Sequence, residues 1–138
     1  MALTLEALLQ DTVARGGSDL HLVHGCPPCQ RIAGDITAMA APAVDSNTIS
    51  ALVAPYLSPH HAKQFEAEGR LNVAFTVPSL GRFRMNLCKA QGTVGASVRA
   101  IPTKTYPLSA LGLPPIVGSL TQKNRGIIFI TGSTGTGK

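Results

Sequence analysis

The residues Gly132-Ser133-Thr134-Gly135-Thr136-Gly137-Lys138 have the types and spacing of a phosphate-binding loop, G-x-x-x-x-G-K. Glycines let a backbone wrap closely around an oxyanion, and successive N–H groups then converge on it. Lys138 adds a compact point charge for the terminal phosphates. The loop follows Ile127, Ile128, Phe129 and Ile130, a β-branched and aromatic run that predicts a buried parallel strand. Glycine-rich loops behind strands also arise without a ligand, but strand, spaced glycines and lysine in this order point to a nucleotide, with ATP and Mg²⁺ as the expected cofactors. The sequence given ends at Lys138, ahead of the Ser/Thr that holds Mg²⁺ in such loops. The expectation is therefore the front part of an ATPase, not catalytic by itself.

A second set of charges lies upstream. Arg82 and Arg84 alternate with Phe83, Met85 and Leu87, so the two arginines share one face of a strand. Arg99, on the next predicted strand, is placed to join them. Exposed strand arginines often serve only as solvated charge or blunt a sheet edge. The other reading is an arginine set that stabilises phosphate charge. His21, His24, Cys26 and Cys29 offer four zinc-capable ligands within nine residues. On a strand, however, His21 and His24 point to opposite faces, two prolines stiffen the cysteine loop, and no second ligand pair lies downstream. No metal site is expected. A redox role for Cys26-Pro-Pro-Cys29 lacks the helix N-terminus or cation that lowers a thiol pKa. With Cys88 the cysteine count is odd, which suits free thiols. His60-His61 reads as a solvated pair at a helix start.

These groups need a scaffold. Thr4 caps a first predicted helix with Leu5, Leu8, Leu9 and Val13 on one face, ended by Gly16-Gly17. A strand over Ser18 to His24 puts Leu20, Leu22 and His24 on one face and Asp19, His21 and Val23 on the other. Cys29 to Ile32 and Ile36 to Met39 read as a hairpin around Gly34-Asp35. Asp45 or Ser46 starts a helix carrying Ile49, Leu52, Val53 and Leu57, and Ser58-Pro59 starts another that runs to Gly69. Three strands follow: Leu71 to Val77, Arg82 to Lys89, and Thr93 to Ile101, with Gly92 and Gly95 suggesting a bulge or close backbone approach. Pro102 to Pro115 reads as a linker, and a short helix over Ile116 to Leu120 precedes the final strand. The fold class is α+β, an antiparallel sheet with helices on one side.

At 138 residues and 44% hydrophobic, the chain has enough apolar material for one core. No apolar run approaches the ~20 residues of a membrane span, and the first residues lack the pattern of a signal peptide. A cytosolic protein is the default. Charge is split along the sequence: residues 1–68 hold three bases against seven acids, a net of −4, while residues 69–138 hold nine bases and no acid. Such a one-sign field attracts nucleotide phosphates, nucleic acid or an acidic protein face, unless acids elsewhere balance it.

Taken in order, Gly17-Ser-Asp-Leu-His-Leu22, the Gly25 to Pro28 turn, Arg31-Ile-Ala-Gly-Asp35, Gly81-Arg-Phe-Arg-Met-Asn86, Arg99-Ala-Ile-Pro102 and Arg125-Gly126 before the phosphate loop resemble one family. It is the type IV pilus retraction ATPases, PilT- and PilU-like, of the secretion-ATPase superfamily, and the resemblance covers essentially the whole chain. It implies a PAS-like N-terminal domain over residues 1–101, a linker over 102–122, and over 123–138 the first strand and phosphate loop of a RecA-like core. It further implies a homohexamer at the cytoplasmic, inner-membrane base of the pilus machine, acting with an inner-membrane platform protein. Neither nucleic acid nor membrane insertion is implied. ATP hydrolysis between the two domains would drive retraction and twitching motility, with Arg82, Arg84 and Arg99 in the position of phosphate-contacting arginines. The alternatives are a pilus-assembly or type II secretion ATPase, whose usual extra N-terminal domains are not seen before residue 18, or a non-catalytic PAS-like interaction module.

Overall fold

The computed structural model describes residues 3–102 and 107–133, and it divides into two compact units, 1–103 and 104–138. In the first, α1 (Leu5–Ala14) starts at Thr4, whose hydroxyl accepts the Ala7 N–H at 3.2 Å. This satisfies one of the four donors that a helix start leaves without a partner. Gly16 follows at φ +70, a left-handed conformation that glycine adopts without steric cost. The buried face is Leu5, Leu8, Leu9 and Thr12, not Val13, which is exposed. Thr12 is tolerated there because its hydroxyl donates to the Leu8 carbonyl at 2.8 Å.

Six strands form one antiparallel sheet: β1 (Gly17–Leu22), β2 (Cys29–Ile32), β3 (Asp35–Ala38), β4 (Arg70–Val77), β5 (Gly81–Ala90) and β6 (Thr93–Ile101), in the order β3-β2-β1-β6-β5-β4. The first hairpin turns at Ala33-Gly34, at φ 50 and 98, and Ile32 pairs with Asp35. The turn expected around Gly34-Asp35 thus falls one residue earlier, with Ala33 in a left-handed conformation that alanine rarely adopts. Of the bulge or close backbone approach expected at Gly92 and Gly95, the bulge is absent, since the β5–β6 register is unbroken. A Cβ on Gly95 would lie 3.5 Å from the Leu22 carbonyl, and the sheet's irregularity lies between Gly17 and Asp19. His24 lies beyond β1, not on its core face: its Nδ1 accepts the Ser46 N–H at 3.1 Å.

Three helices cover one face of the sheet: α1, α2 (Ser46–Val53) and α3 (Pro59–Glu68). Asp45 caps α2 by accepting from Thr48 N–H at 2.7 Å. A reciprocal pair caps α3. Ser58 Oγ accepts from the His61 N–H, and the His61 ring accepts from the Ser58 N–H. His61 is thus a capping residue and not only a solvated one. Gly69, at φ +67, closes α3. The core joins Leu5, Leu8 and Leu9 of α1 and Ile49, Leu52 and Val53 of α2 to alternate residues of the strands, including Leu20, Leu71, Phe83, Met85, Leu87 and Val98. Phe83 stacks on Phe75 at 5.6 Å between ring centroids. This is the α+β arrangement, an antiparallel sheet with helices on one side, that the pattern predicts.

The second unit contains a 3-10 turn over Leu108–Leu111 and α4 (Ile116–Leu120). Ile127 to Ile130 are exposed and carry no strand assignment. A β-strand is defined by its ladder, and among the described residues none pairs with this segment.

Candidate functional site: an arginine row on the open sheet face

The face of the sheet away from the helices is polar. Its register places Arg84 of β5, Arg99 of β6, Asp19 of β1 and Arg31 of β2 side by side in one row across four strands. The neighbouring row runs Asn72, Asn86, Ser97, His21, Cys29. Within it, Asn86 Nδ2 donates to Asn72 Oδ1 at 3.0 Å. Asp19, Asn72, Arg84, Asn86, Ser97 and Arg99 line a shallow depression of ≈ 240 Å³.

Asp19 organises the row. Its side chain is 5% exposed, and Oδ1 accepts from Arg99 Nε at 2.7 Å. Oδ2 accepts from the Ser18 hydroxyl at 2.7 Å and faces Arg31 Nε at 3.7 Å. Burial pushes the Asp19 carboxyl up. The hydrogen bonds from Arg99 and Ser18, with the charges of Arg99 and His21, outweigh it and hold the pKa below the ordinary value of 3.8. Arg31 is held in turn by its Nη1 donating to the Gly34 carbonyl at 2.7 Å.

Three arginines against one carboxylate leave the row positively charged. Arg84 and Arg99 are directly opposed across β5 and β6, where like charges repel unless something anionic lies between them. The Arg84 side chain makes no hydrogen bond or ion pair among the described residues. The structure thus brings Arg84 and Arg99 together. Arg82 shares their face but pairs with Thr76 and Ile101. It lines a separate depression of ≈ 390 Å³ with Gly17, Ser18, Leu80 and Pro102 among its neighbours. A residue two positions along a strand is roughly 7 Å away, within reach of a long guanidinium side chain.

Asp19 itself was not foreseen as part of the site. The sequence shows it only as one residue of the Gly17-Ser-Asp-Leu-His-Leu22 motif, and its partner Arg99 is 80 positions away. Of the phosphate loop, Gly132 and Ser133 are described and exposed; Thr134, Gly135, Thr136, Gly137 and Lys138 lie outside the described residues. Three of the four residues weighed for zinc make other contacts, while the Nε2 of the fourth, His21, is buried without a hydrogen-bond partner among the described residues. His24 binds Ser46, Cys26 bridges to Val44, and the Cys29 thiol donates to the Pro27 carbonyl at 3.4 Å. Among the described residues no three His, Cys, Asp or Glu side chains are grouped to hold a metal, and no helix is long and apolar enough to cross a membrane.

The fold is that of the N-terminal domain of secretion-type ATPases. Within that class the chain is similar, nearly from end to end, to the N-terminal part of the PilT-like pilus ATPases. It is 33% identical over 131 residues to the type IV pilus retraction ATPase PilT of Pseudomonas aeruginosa, covering 95% of this chain and 38% of that protein. It is 30% identical over 133 residues to the type IV pilus ATPase PilU of the same organism, covering 96% of the chain and 35% of the relative. A solved structure of the pilus retraction motor PilT with bound ADP superposes with a TM-score of 0.89 at 32% identity, over 99% of this chain and 40% of that one. The ATPase DotB of Legionella pneumophila, at 23% identity and a TM-score of 0.76 over 100% of this chain and 40% of its own, shares the fold. No family profile matches the chain. The chain therefore spans less than two-fifths of the length of these curated relatives.

Proposed function

We propose that the chain is the N-terminal portion of a hexameric ATPase motor that powers type IV pilus retraction. In the full-length protein, Gly132 to Lys138 would bind the phosphates of ATP with Mg²⁺, and N-terminal arginines would neutralise charge on them. The observation that carries the reading is the pairing of Arg84 with Arg99 on an open face, on a fold shared at a TM-score of 0.89 with a motor solved with ADP bound. A guanidinium fork suits phosphate oxygens, and two adjacent forks suit a polyphosphate. Bound ATP supplies the phosphoanhydride to be cleaved. The protein's contribution is position and fixed positive charge: loop amides and Lys138 at the terminal phosphates, Arg84, Arg99 and the nearby Arg82 against charge that builds up during transfer. The remaining parts of the proposal are a homohexamer, a cytoplasmic location at the inner-membrane base of the pilus machine, and docking on its platform protein.

The test is genetic and biochemical. Cells of the source organism lacking the gene should keep surface pili but lose twitching, and the full-length protein with Lys138→Ala should neither hydrolyse ATP nor restore motility. Loss of surface pili in the deletion strain would instead support an assembly ATPase. Normal twitching, with wild-type ATPase activity in the Lys138→Ala protein, would sink the reading.

A further inference from the structure

Arg99 is anchored at one end and free at the other. Its side chain is 69% exposed although Nε is fixed to a buried carboxylate at 2.7 Å. Among the described residues its Nη nitrogens make no hydrogen bond. The Arg84 guanidinium, directly opposite, makes none either among the described residues. The anchor is itself held: Asp19 also accepts from the Ser18 hydroxyl, lies next to Arg31, and is almost wholly buried.

We propose that Asp19 is a positioning residue for polyphosphate binding: it takes Arg99 through Nε, fixes the guanidinium plane, and presents the Nη edge beside Arg84 to the anion. The proposal rests on the phosphate reading above and adds to it the group that aims the arginine. Holding a long side chain in its binding orientation beforehand removes part of the entropy cost of binding. It also makes the buried acid useful to a site that binds anions, where a carboxylate would otherwise be only a liability.

That liability gives the test its sign. If Asp19 merely offsets charge, removing it leaves the face more positive, and anion affinity rises. If Asp19 positions Arg99, removing it lets the guanidinium swing free, and affinity falls. The experiment titrates tripolyphosphate into the 138-residue chain and follows the Nε–Hε NMR signals of Arg84 and Arg99, which separate this face from the glycine loop. The wild type should show saturable shifts at both. Asp19→Ala should bind about five-fold or more weakly, since an aimed fork becomes a mobile one. Asp19→Asn keeps an oxygen for the Nε–H without the repulsion, and should bind as tightly as wild type or more so. Unchanged or tighter binding by Asp19→Ala overturns the positioning role and leaves the phosphate reading standing. No shift at either arginine in the wild type removes the phosphate reading and this proposal together. Should Asp19→Ala fail to fold, Arg99→Lys decides: it keeps the charge and leaves Asp19 paired, but its one ammonium is consumed by the carboxylate. It should show the same loss at the Arg84 signal, and wild-type affinity there overturns the proposal.

Discussion

Arg99→Ala should destabilise the first unit by more than an exposed arginine ordinarily costs. The arginine is mostly in water, which alone would put its ion pair in the range of ~0.2–1 kcal/mol for surface pairs. What it leaves behind is a carboxylate only 5% exposed, and stranding one charge of a buried pair costs ~3–5 kcal/mol. Asp19 keeps the Ser18 hydroxyl and Arg31 at 3.7 Å, so the expected loss lies between these limits, at about 2 kcal/mol. In a domain near one hundred residues that is a fall in Tm of about 10 °C. Asp19→Ala should cost less, about 1 kcal/mol, because both arginines can turn to water. The double variant should be no worse than Asp19→Ala alone, giving a coupling of about 2 kcal/mol in a double-mutant cycle.

The same pair has a pH signature. The Asp19 pKa is lowered in the folded state, so its contribution is complete above the unfolded-state value and is lost as pH falls through the folded value, on the acid side of 3.8. In Arg99→Ala burial is less opposed, the folded pKa rises, and the acid limb of the stability profile should begin at higher pH. The assay is urea unfolding of each variant between pH 3 and pH 7. An Arg99→Ala midpoint equal to wild type at pH 7, or a loss that Asp19→Ala fails to relieve, would refute the argument.

Three further perturbations test the scaffold. Gly17→Ala should destabilise by about 1–3 kcal/mol on thermal melting, because a Cβ there would lie 2.8 Å from Thr12 Cγ2 and 2.9 Å from the Thr12 carbonyl, at the junction of α1 and the sheet. Ser58→Ala removes the acceptor for the His61 N–H and should cost about 1 kcal/mol in urea unfolding. Ala33→Gly should instead stabilise or be neutral, gaining up to about 1 kcal/mol from relief of a left-handed alanine and losing some to unfolded-chain entropy; a clear loss would show that the turn is not strained.

Local patterns carried most of the fold. Thr4, Asp45 and Ser58-Pro59 announce their helices through capping chemistry confined to one turn, and β5 announces itself through strict alternation from Arg82 to Leu87. One departure is local: Thr12 is buried in place of Val13, its hydroxyl satisfied by a carbonyl on its own helix, which a hydrophobicity count does not register. The others arise where a tertiary contact decides. Ile127 to Ile130 have the composition of a strand, but pairing needs a neighbour, and composition does not provide one. For the site, the residue types and the shared face of Arg82 and Arg84 were legible. The Asp19–Arg99 anchor was not, because it depends on β1 lying beside β6, and no short-range signal encodes that adjacency.

The alternation along β5 separates two kinds of inheritance. Phe83, Met85 and Leu87 point into the core, while Arg82, Arg84 and Asn86 face outward. Substitutions at one parity are constrained by volume and shape; those at the other are constrained only by what the face must meet. A lineage can therefore redraw the chemistry of this surface, charge by charge, while the fold beneath it stays untouched. Asp19, with the Arg99 that covers its charge, is the exception. It belongs to the outer face by register and to the interior by burial, so a change there is felt in both.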